Sequence, residues 1–468
     1  MLRQILRTNL QVRKLKVIGL LAVFVLLLVK CQKSAVFPAA QYDDRLSGGD
    51  ETVFDATSQA FGNMFPNLAA YDTHIHILGD LTFNQTFVTA PAIIHGGLGP
   101  IFNNTGCINC HHNDGIGLPT AGDQQSSLLM RISLPGVDAH GGPVAVPGYG
   151  LQLQDKAVYG KLPECSVNIV YTTQIITFAD GAQIELRAPT YTLSNLYTPI
   201  AGTYLLSPRL APPMIGLGLL EAIPESEIIA NADPNDANND GIKGHANYVW
   251  DAITQTRQLG RFGWKANTAS VLTQVATAFN QDMGVTSSVL PVESSYGQSQ
   301  YDGLHDDPEL PDSLLNAVKF YAQTLCVPAR RNTTDATVKR GEALFISAKC
   351  VNCHKQTFTT AVDVSRPYMS NQVIHPYTDM LVHDMGPGLA DNRPDYLAGG
   401  QEWRTAPLWG LGLYTTVNSP GYFLHDGRAR TITEAIMWHG GEAEGSKATF
   451  QNMNSTDRDA LLKFLQSL

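Results

Sequence analysis

The sequence predicts a mainly α-helical fold with a β-hairpin inserted in its N-terminal half, and three observations support this prediction. Residues 107–111 and 350–354 both read Cys-x-x-Cys-His, a pattern that attaches c-type haem. Apolar residues recur at helical spacing near the C-terminus, whereas apolar and polar residues alternate around an Asp-Gly pair between the two motifs. We therefore predict two cytochrome c-like haem domains, of which the N-terminal one is enlarged by a β-hairpin-containing insertion.

Residues 1–31 predict a signal peptide, because basic residues precede an apolar run at residues 17–29 and no acidic residue interrupts them. The run has 13 residues, fewer than the roughly 17–25 that cross a bilayer, which disfavours a retained membrane helix. Cys31 follows the run directly and resembles the acylated cysteine of a lipoprotein. We therefore expect export to the periplasm or outer membrane of a Gram-negative bacterium, with membrane contact only through a lipid anchor.

The two motifs predict two covalently bound c-type haems. In each motif the thiols would form thioether bonds to the porphyrin, and the adjacent histidine would reach the iron. One copy alone would also fit a zinc knuckle or a redox-active dithiol, but two copies on an exported chain favour haem. The attachment residues are Cys107, Cys110, Cys350 and Cys353, and the proximal iron ligands are His111 and His354.

More than 230 residues separate the motifs, too many for one small cytochrome. We therefore assign residues 45–330 to the N-terminal haem domain with insertions and residues 331–468 to a C-terminal cytochrome c domain. Residues 174–178 and 183–187 alternate around Asp180-Gly181 and predict the inserted hairpin.

Two helices are predicted in the C-terminal domain. Residues 338–348 form a helical pattern that leads into Cys350. Near the chain end, residues 456–459 resemble a capping box and precede apolar residues at helical spacing. We expect this terminal helix to pack on the helix before the second motif.

The formal net charge of −10 makes nucleic acid an unsuitable partner. An acidic surface suits a basic partner such as an electron-donor cytochrome or another small redox protein, although the charge would equally serve solubility alone. Cys165 and Cys326 are not part of either motif. An oxidising compartment would permit a disulfide between them, and two separate buried thiols are the alternative.

Several segments together resemble the di-haem oxidoreductase family, whose members are also labelled thiol oxidoreductases. These segments cover most of the chain after residue 45, and the family is more distantly similar to bacterial di-haem cytochrome c peroxidases. The segments are residues 46–49, 261–266, 281–284, 383–387, 402–405 and 425–428.

In the wider peroxidase group, the second ligand of the C-terminal haem iron follows the histidine of an aromatic-x-His-Asp-Gly segment by about fourteen residues. His439 stands fourteen residues after His425, so the resemblance implies a bis-histidine C-terminal haem. Met437 and Met385 are rival ligands. Alternatively, His439 only forms a hydrogen bond in a turn.

The resemblance also implies a peroxide pocket formed by Trp264, Gln274 and Asp282, whose spacing matches a tryptophan between the haems, a glutamine and a carboxylate. A carboxylate there would move a proton between the peroxide oxygens. The alternatives are a core tryptophan and two residues that cap or cover a helix. Glu221, a carboxylate in an apolar run, is a competing acid or a structurally paired residue.

Asp236, Asn238 and Asp240 place oxygen ligands at alternate positions before Gly241, as in the first half of a calcium loop. Asn247 stands where an EF-hand has its bidentate glutamate, so we predict an isolated calcium loop or a plain Asx-rich turn rather than an EF-hand.

These observations lead to a peroxidase-type hypothesis. The C-terminal haem would receive electrons and pass them to an N-terminal haem that reacts with hydrogen peroxide or another small oxidant. The alternatives are a non-catalytic di-haem electron-transfer cytochrome and a di-haem oxidase of an organic or protein substrate.

Overall fold

A computed structural model describes residues 43–468. The predicted signal peptide, including Cys31, lies outside the described residues. Residues 45–468 form one compact unit, and of the other unit, residues 1–44, only the last two residues are described. No helix in residues 43–468 combines the length and hydropathy that a membrane span requires.

The described chain alternates short helices with short strands. The α-helices are α1 (Ala70–Phe83), α2 (Leu217–Glu221), α3 (Glu225–Ile229), α4 (Val271–Met283), α5 (Asp312–Gln323), α6 (Ala336–Ser347), α7 (Tyr414–Val417), α8 (Ile432–Trp438), α9 (Glu444–Asn452) and α10 (Ser455–Ser467). The strands are β1 (Thr52–Val53), β2 (Ile101–Phe102), β3 (Leu128–Val137), β4 (Pro143–Val144), β5 (Gln152–Leu153), β6 (Lys156–Ala157), β7 (Ser166–Thr177), β8 (Gln183–Ser194), β9 (Leu205–Leu210), β10 (Tyr248–Asp251), β11 (Thr256–Leu259), β12 (Val327–Pro328), β13 (Phe358–Thr359), β14 (Val373–Ile374), β15 (Val382–Asp384) and β16 (Glu402–Arg404).

The prediction of a mainly α-helical fold was wrong, because the chain is 27% helix and 20% strand and contains several small sheets. Eight of the sixteen described strands have only two residues, too few for an alternating pattern to be recognised. Nor do residues 45–468 separate into two cytochrome c-like domains, since they form one unit in which β1 pairs in parallel with β12. The domain boundary near residue 330, which was predicted from the sequence, stays a prediction.

The small sheets have simple pairings. Strand β3 is central to the four-stranded sheet and pairs antiparallel with β4, β5 and β9. The remaining sheets have two strands each, in the pairs β1–β12, β2–β6, β7–β8, β10–β11, β13–β14 and β15–β16.

The hairpin is longer than the sequence predicted. Strands β7 and β8 pair over twelve residues each, from Ser166 opposite Ser194 to Thr177 opposite Gln183. Gly181 at the tip has φ +85°, a conformation that glycine adopts without strain. The hairpin packs on the C-terminal region, where Phe178 contacts Phe450 edge to face.

Helix α10 packs on α6, as the sequence predicted, and its N-cap is Asn454, whose side chain accepts from the Asp457 N–H at 3.0 Å. The rings of Phe345 and Phe464 meet between the two helices at 5.2 Å. Gly341 in α6 makes the close approach possible, because a Cβ there would collide with the Ala460 carbonyl oxygen.

Cys165 and Cys326 are separate buried thiols in the structure, and no disulfide joins them. The Cys326 Sγ lies 2.8 Å from the Met64 carbonyl oxygen. Burial raises the pKa of Cys165 to about 12, which keeps this thiol protonated and weakly reactive.

We expect Gly341→Ala to lower the free energy of unfolding by roughly 1–3 kcal/mol, because the added methyl group would force α6 and α10 apart. Gly445→Ala is the matched control, since a Cβ at that helical glycine of α9 meets nothing within 4 Å. Denaturant unfolding of both variants checks the packing, and equal effects of the two changes would contradict it.

Candidate functional site

Each Cys-x-x-Cys-His motif opens onto its own cavity of about 220 Å³. We call the cavity at residues 107–111 the N-terminal cavity and the cavity at residues 350–354 the C-terminal cavity. Both have mostly apolar walls with a few polar side chains, as is usual for cofactor sites.

The two motif histidines have the same environment. The Nδ1–H of His111 donates to the Pro212 carbonyl oxygen at 2.8 Å, and the Nδ1–H of His354 donates to the Tyr377 carbonyl oxygen at 2.8 Å. Burial lowers the pKa of both imidazoles to about 4. Each histidine is therefore neutral at pH 7 and keeps Nε2 available as an iron ligand, which is the usual arrangement of ligating histidines.

The motif cysteines also fit haem attachment. Burial raises the pKa of Cys107, Cys110 and Cys350 to about 12, and it raises the pKa of Cys353 as well. A zinc site needs thiolates, which these surroundings disfavour. Among the described residues, the only group of three His, Cys, Asp or Glu side chains close enough to share a metal ion is Cys353 with Asp379 and His383, and neither motif histidine belongs to it. Uncharged thioether sulfurs suit these positions better.

His439 lines the C-terminal cavity together with His354. Its Nδ1–H donates to the Ala435 carbonyl oxygen at 2.7 Å, and burial lowers its pKa. The structure thus gives His439 the same free Nε2 as the motif histidines. Of the rival ligands, Met385 lines this cavity, whereas Met437 is buried and does not line it.

His425 is a further histidine in the wall of the C-terminal cavity. Its Nδ1–H donates to the Pro208 carbonyl oxygen at 3.1 Å, its ring stacks on Trp403 at 3.7 Å, and its buried Nε2 has no hydrogen-bond partner among the described residues. Burial lowers its pKa to about 4. His425 begins the family-resembling segment at residues 425–428, and His439 follows it by fourteen residues, but no sequence signal placed the His425 side chain itself in this cavity.

His383, in contrast, is a buried cation. Its Nε2–H donates to Asp379 at 2.8 Å and its Nδ1–H donates to Glu442 at 2.7 Å. Burial alone would lower its pKa, but the hydrogen bonds to these carboxylates outweigh that effect and raise the pKa to about 12. The wall of the C-terminal cavity therefore carries a fixed positive charge at neutral pH, 3.7 Å from the Cys353 Sγ.

Five residues line both cavities, and we call them the shared wall. Trp264 is one of them, and its Nε1–H donates to the carbonyl oxygen of Leu210, the last residue of β9, at 2.7 Å. It follows Gly263, whose φ of +78° closes the turn after β11. The members of the shared wall are Trp264, Arg404, Ala406, Pro407 and Tyr414.

One face of helix α4 lines the N-terminal cavity. Gln274, Ala278 and Asp282 follow each other at four-residue intervals and therefore lie on the same side of the helix. The Asp282 carboxylate accepts from Gln152 Nε2 at 2.7 Å. Burial raises the pKa of Asp282, although Arg131 and Gln152 oppose this effect. The structure thus brings Trp264, Gln274 and Asp282 together at one cavity.

Glu221 lies outside both cavities. Its carboxylate accepts from the Val271 N–H at 2.8 Å, at the first residue of α4, and from the Gln323 side chain. This environment matches the structural alternative for Glu221, since the carboxylate satisfies an unpaired N–H at a helix start.

Cationic side chains in the walls were not found from the sequence. Arg131 and Arg209 line the N-terminal cavity. Arg209 is paired with Asp395 at 2.9 Å, while Arg131 donates to Gln281. Their partners are distant along the chain, so no local spacing could have identified them.

The predicted calcium loop forms a series of turns. Asp236 Oδ1 accepts from the Gly241 N–H at 3.1 Å, and Asn238 Oδ1 accepts from the Asp240 N–H at 2.9 Å. Asp240 Oδ2 also accepts from Asn352 Nδ2, within the second motif, at 3.1 Å. These oxygens are partly used by the chain itself, and calcium binding stays a prediction.

The comparisons with known proteins identify the family. The family model described as "Di-haem oxidoreductase, putative peroxidase" matches residues 42–468. No curated protein is significantly similar in sequence to this chain.

Two solved structures are similar over part of the chain. One is a hydrazine synthase from Kuenenia stuttgartiensis, with 19% identity over 34% of this chain and 56% of that chain and a TM-score of 0.23. The other is a MauG-like protein associated with microbial copper homeostasis, with 14% identity over 55% of this chain and 89% of that chain and a TM-score of 0.27. This chain therefore spans little more than half of the hydrazine synthase chain, and at these TM-scores neither similarity supports a conclusion about fold or mechanism.

The family match spans all of the described residues, and each motif site has a cavity and a histidine whose Nδ1–H is bound to a backbone carbonyl oxygen, as suits a haem site. The chain therefore belongs to the di-haem oxidoreductase family.

Proposed function

We propose that this chain is an exported di-haem peroxidase in which electrons enter at the C-terminal haem and reach a peroxide at the N-terminal haem. The observation that carries this proposal is the difference between the two cavities. Four histidines line the C-terminal cavity, whereas His111 is the only histidine in the described wall of the N-terminal cavity. The C-terminal cavity therefore contains histidines that can bind the iron as a second ligand, whereas the N-terminal cavity leaves space for a peroxide.

We propose that both haems are attached covalently through the motif cysteines. Cys107 and Cys110 would hold one haem and Cys350 and Cys353 the other, with His111 and His354 as proximal ligands. His439 would be the second ligand at the C-terminal iron, because its Nε2 is free and its Nδ1 is fixed by the Ala435 carbonyl oxygen. Haem, when bound, supplies the one-electron transfer and peroxide chemistry of the enzyme.

The surrounding side chains supply proton transfer and charge stabilisation. Reducing a peroxide takes two electrons and two protons, breaks the O–O bond and releases water with a second water or an alcohol. Asp282, with its raised pKa, is suited to take the proton of the incoming peroxide and to return it to the leaving oxygen. Gln274 orients the peroxide from the same helix face, and Arg131 stabilises negative charge on the departing oxygen.

Trp264 is the proposed route for electrons between the two sites. Its ring lines both cavities, and the hydrogen bond to the Leu210 carbonyl oxygen fixes its orientation. An aromatic ring held in the shared wall shortens the distance that an electron must cross.

Export, the donor and calcium remain proposals drawn from the sequence. Residues 1–31 favour a periplasmic or outer-membrane lipoprotein, and the net charge of −10 favours a basic electron donor such as a small cytochrome. A calcium ion at Asp236, Asn238 and Asp240 would stabilise the loop that contacts the second motif through Asn352.

We expect Trp264→Phe to lower peroxide turnover by roughly tenfold or more, which corresponds to ~1.4 kcal/mol in the barrier, while both haems stay attached. Phenylalanine retains the packing but is much harder to oxidise than tryptophan. Stopped-flow reoxidation of the reduced enzyme by peroxide measures the effect, and pyridine haemochrome spectra give the haem content. Trp409→Phe is the control, because Trp409 lines only the N-terminal cavity. Equal turnover in wild type and Trp264→Phe would remove Trp264 from the route.

We expect Asp282→Asn to lower turnover by roughly 10²–10⁴-fold, the usual contribution of a general acid or base. The wild-type rate should fall as the pH drops through the raised pKa of Asp282, because the protonated carboxyl group cannot accept the peroxide proton. The variant should lack this acid limb. Glu221→Gln is the control for the competing acid, and loss of the acid limb in that variant instead would reassign the role to Glu221.

A further inference from the structure

The shared wall contains one charged side chain, that of Arg404. Its Nε–H donates to the Gly263 carbonyl oxygen at 3.0 Å, and Nη1 contacts only the Met380 Sδ, at 3.8 Å. The backbone N–H of Arg404 donates to the Trp264 carbonyl oxygen at 2.8 Å. No acceptor among residues 43–468 is within hydrogen-bond distance of Nη2, and Arg404 lines both cavities.

Several buried guanidinium groups in the described chain have carboxylate partners, whereas Arg131 and Arg404 do not. Arg209 pairs with Asp395 at 2.9 Å, and Arg428 pairs with Asp426 at 2.7 Å. Arg404 has no ion pair among the described residues, and burial lowers its pKa to about 10. Asp379 acts on this charge only at longer range and is itself hydrogen-bonded to His383. A cation shielded from water is stabilised by a hydrogen-bonded anion, so this position suits a negative charge from outside the polypeptide.

Both cavities have an excess of positive charge. Three guanidinium groups line the N-terminal cavity, those of Arg131, Arg209 and Arg404, against the carboxylates of Asp282 and Asp395. In the C-terminal cavity Glu442 is the only carboxylate in the described wall, and the cationic side chains there are Lys349, His383, Arg404 and Lys447. A ligand with its own carboxylates would balance these charges, and each haem has two propionates.

We propose that Arg404 is a shared carboxylate anchor, which binds a propionate of the haem in each cavity and so fixes both haems relative to Trp264. This inference rests on the two haems of the proposed function. Arg404 is a positioning residue, because it acts on the cofactors and on the Gly263–Trp264 turn rather than on the peroxide. Because the Nε–H is bound to the Gly263 carbonyl oxygen, the four N–H donors of Nη1 and Nη2 are the ones suited to bind two carboxylates.

The test is a spectroelectrochemical titration of both haems in the full-length holoprotein, without peroxide. Removing a positive charge beside a haem disfavours the reduced state, so Arg404→Leu should shift both reduction potentials to lower values. Arg404→Lys keeps the charge and should restore both potentials most of the way. Pyridine haemochrome spectra establish that each variant retains two haems.

Arg261→Leu is the matched control. Arg261 is on the same turn as Trp264, donates to the Leu220 and Ile223 carbonyl oxygens at 3.2 and 2.8 Å, and lines neither cavity. Its removal should leave both potentials unchanged. If Arg404→Leu does not retain its haems, Arg404→Gln replaces it, since that residue is neutral but still polar.

A shift of one potential alone would overturn the shared anchor, as would unchanged potentials or an equal shift in Arg261→Leu. The titration is independent of turnover. A protein that does not react with peroxide but shows both shifts would therefore support Arg404 and reject the peroxidase proposal.

Discussion

The structure depends on the turn that holds Trp264 between the two cavities. Three hydrogen bonds fix it: the Trp264 indole donates to the Leu210 carbonyl oxygen, and Arg404 donates to the carbonyl oxygens of Gly263 and Trp264. Strand β9 and strand β16 thus meet through one tight turn, and the two motif sites have a common wall. Residues 45–468 correspondingly form one compact unit.

The motif histidines have the same environment in the two sites, and the other residues of the sites differ. His111 and His354 have the same hydrogen bond from Nδ1–H to a backbone carbonyl oxygen and the same low pKa. Beyond them, the C-terminal cavity has further histidines, including His439 with a free Nε2 and the buried cation His383. The N-terminal cavity has instead the carboxylate of Asp282 on helix α4. This contrast assigns electron entry to one site and peroxide chemistry to the other in our proposal.

Local patterns predicted the parts of the structure that are local in sequence. The two motifs, helix α6 and the β7–β8 hairpin could be predicted from the sequence, since each depends on spacing within about twenty residues. The two-residue strands could not be predicted, because their pairing is decided by contacts between distant segments. The same limit applies to the site: Glu442, one of the two carboxylates that hold the charge on His383, lies 59 residues further along the chain. Arg404 likewise becomes notable only because it lines both cavities without a carboxylate partner.

The measurement that tests the central claim most directly is the low-temperature EPR spectrum of the holoprotein, as isolated and half-reduced, before and after mixing with hydrogen peroxide. An open N-terminal haem beside a bis-histidine C-terminal haem predicts a high-spin signal that peroxide consumes, together with one low-spin signal. Two low-spin haems that do not react with peroxide in either state would contradict the account and identify the protein as an electron carrier. In that case Met214 or Met283, which line the N-terminal cavity, would be the first ligands to test.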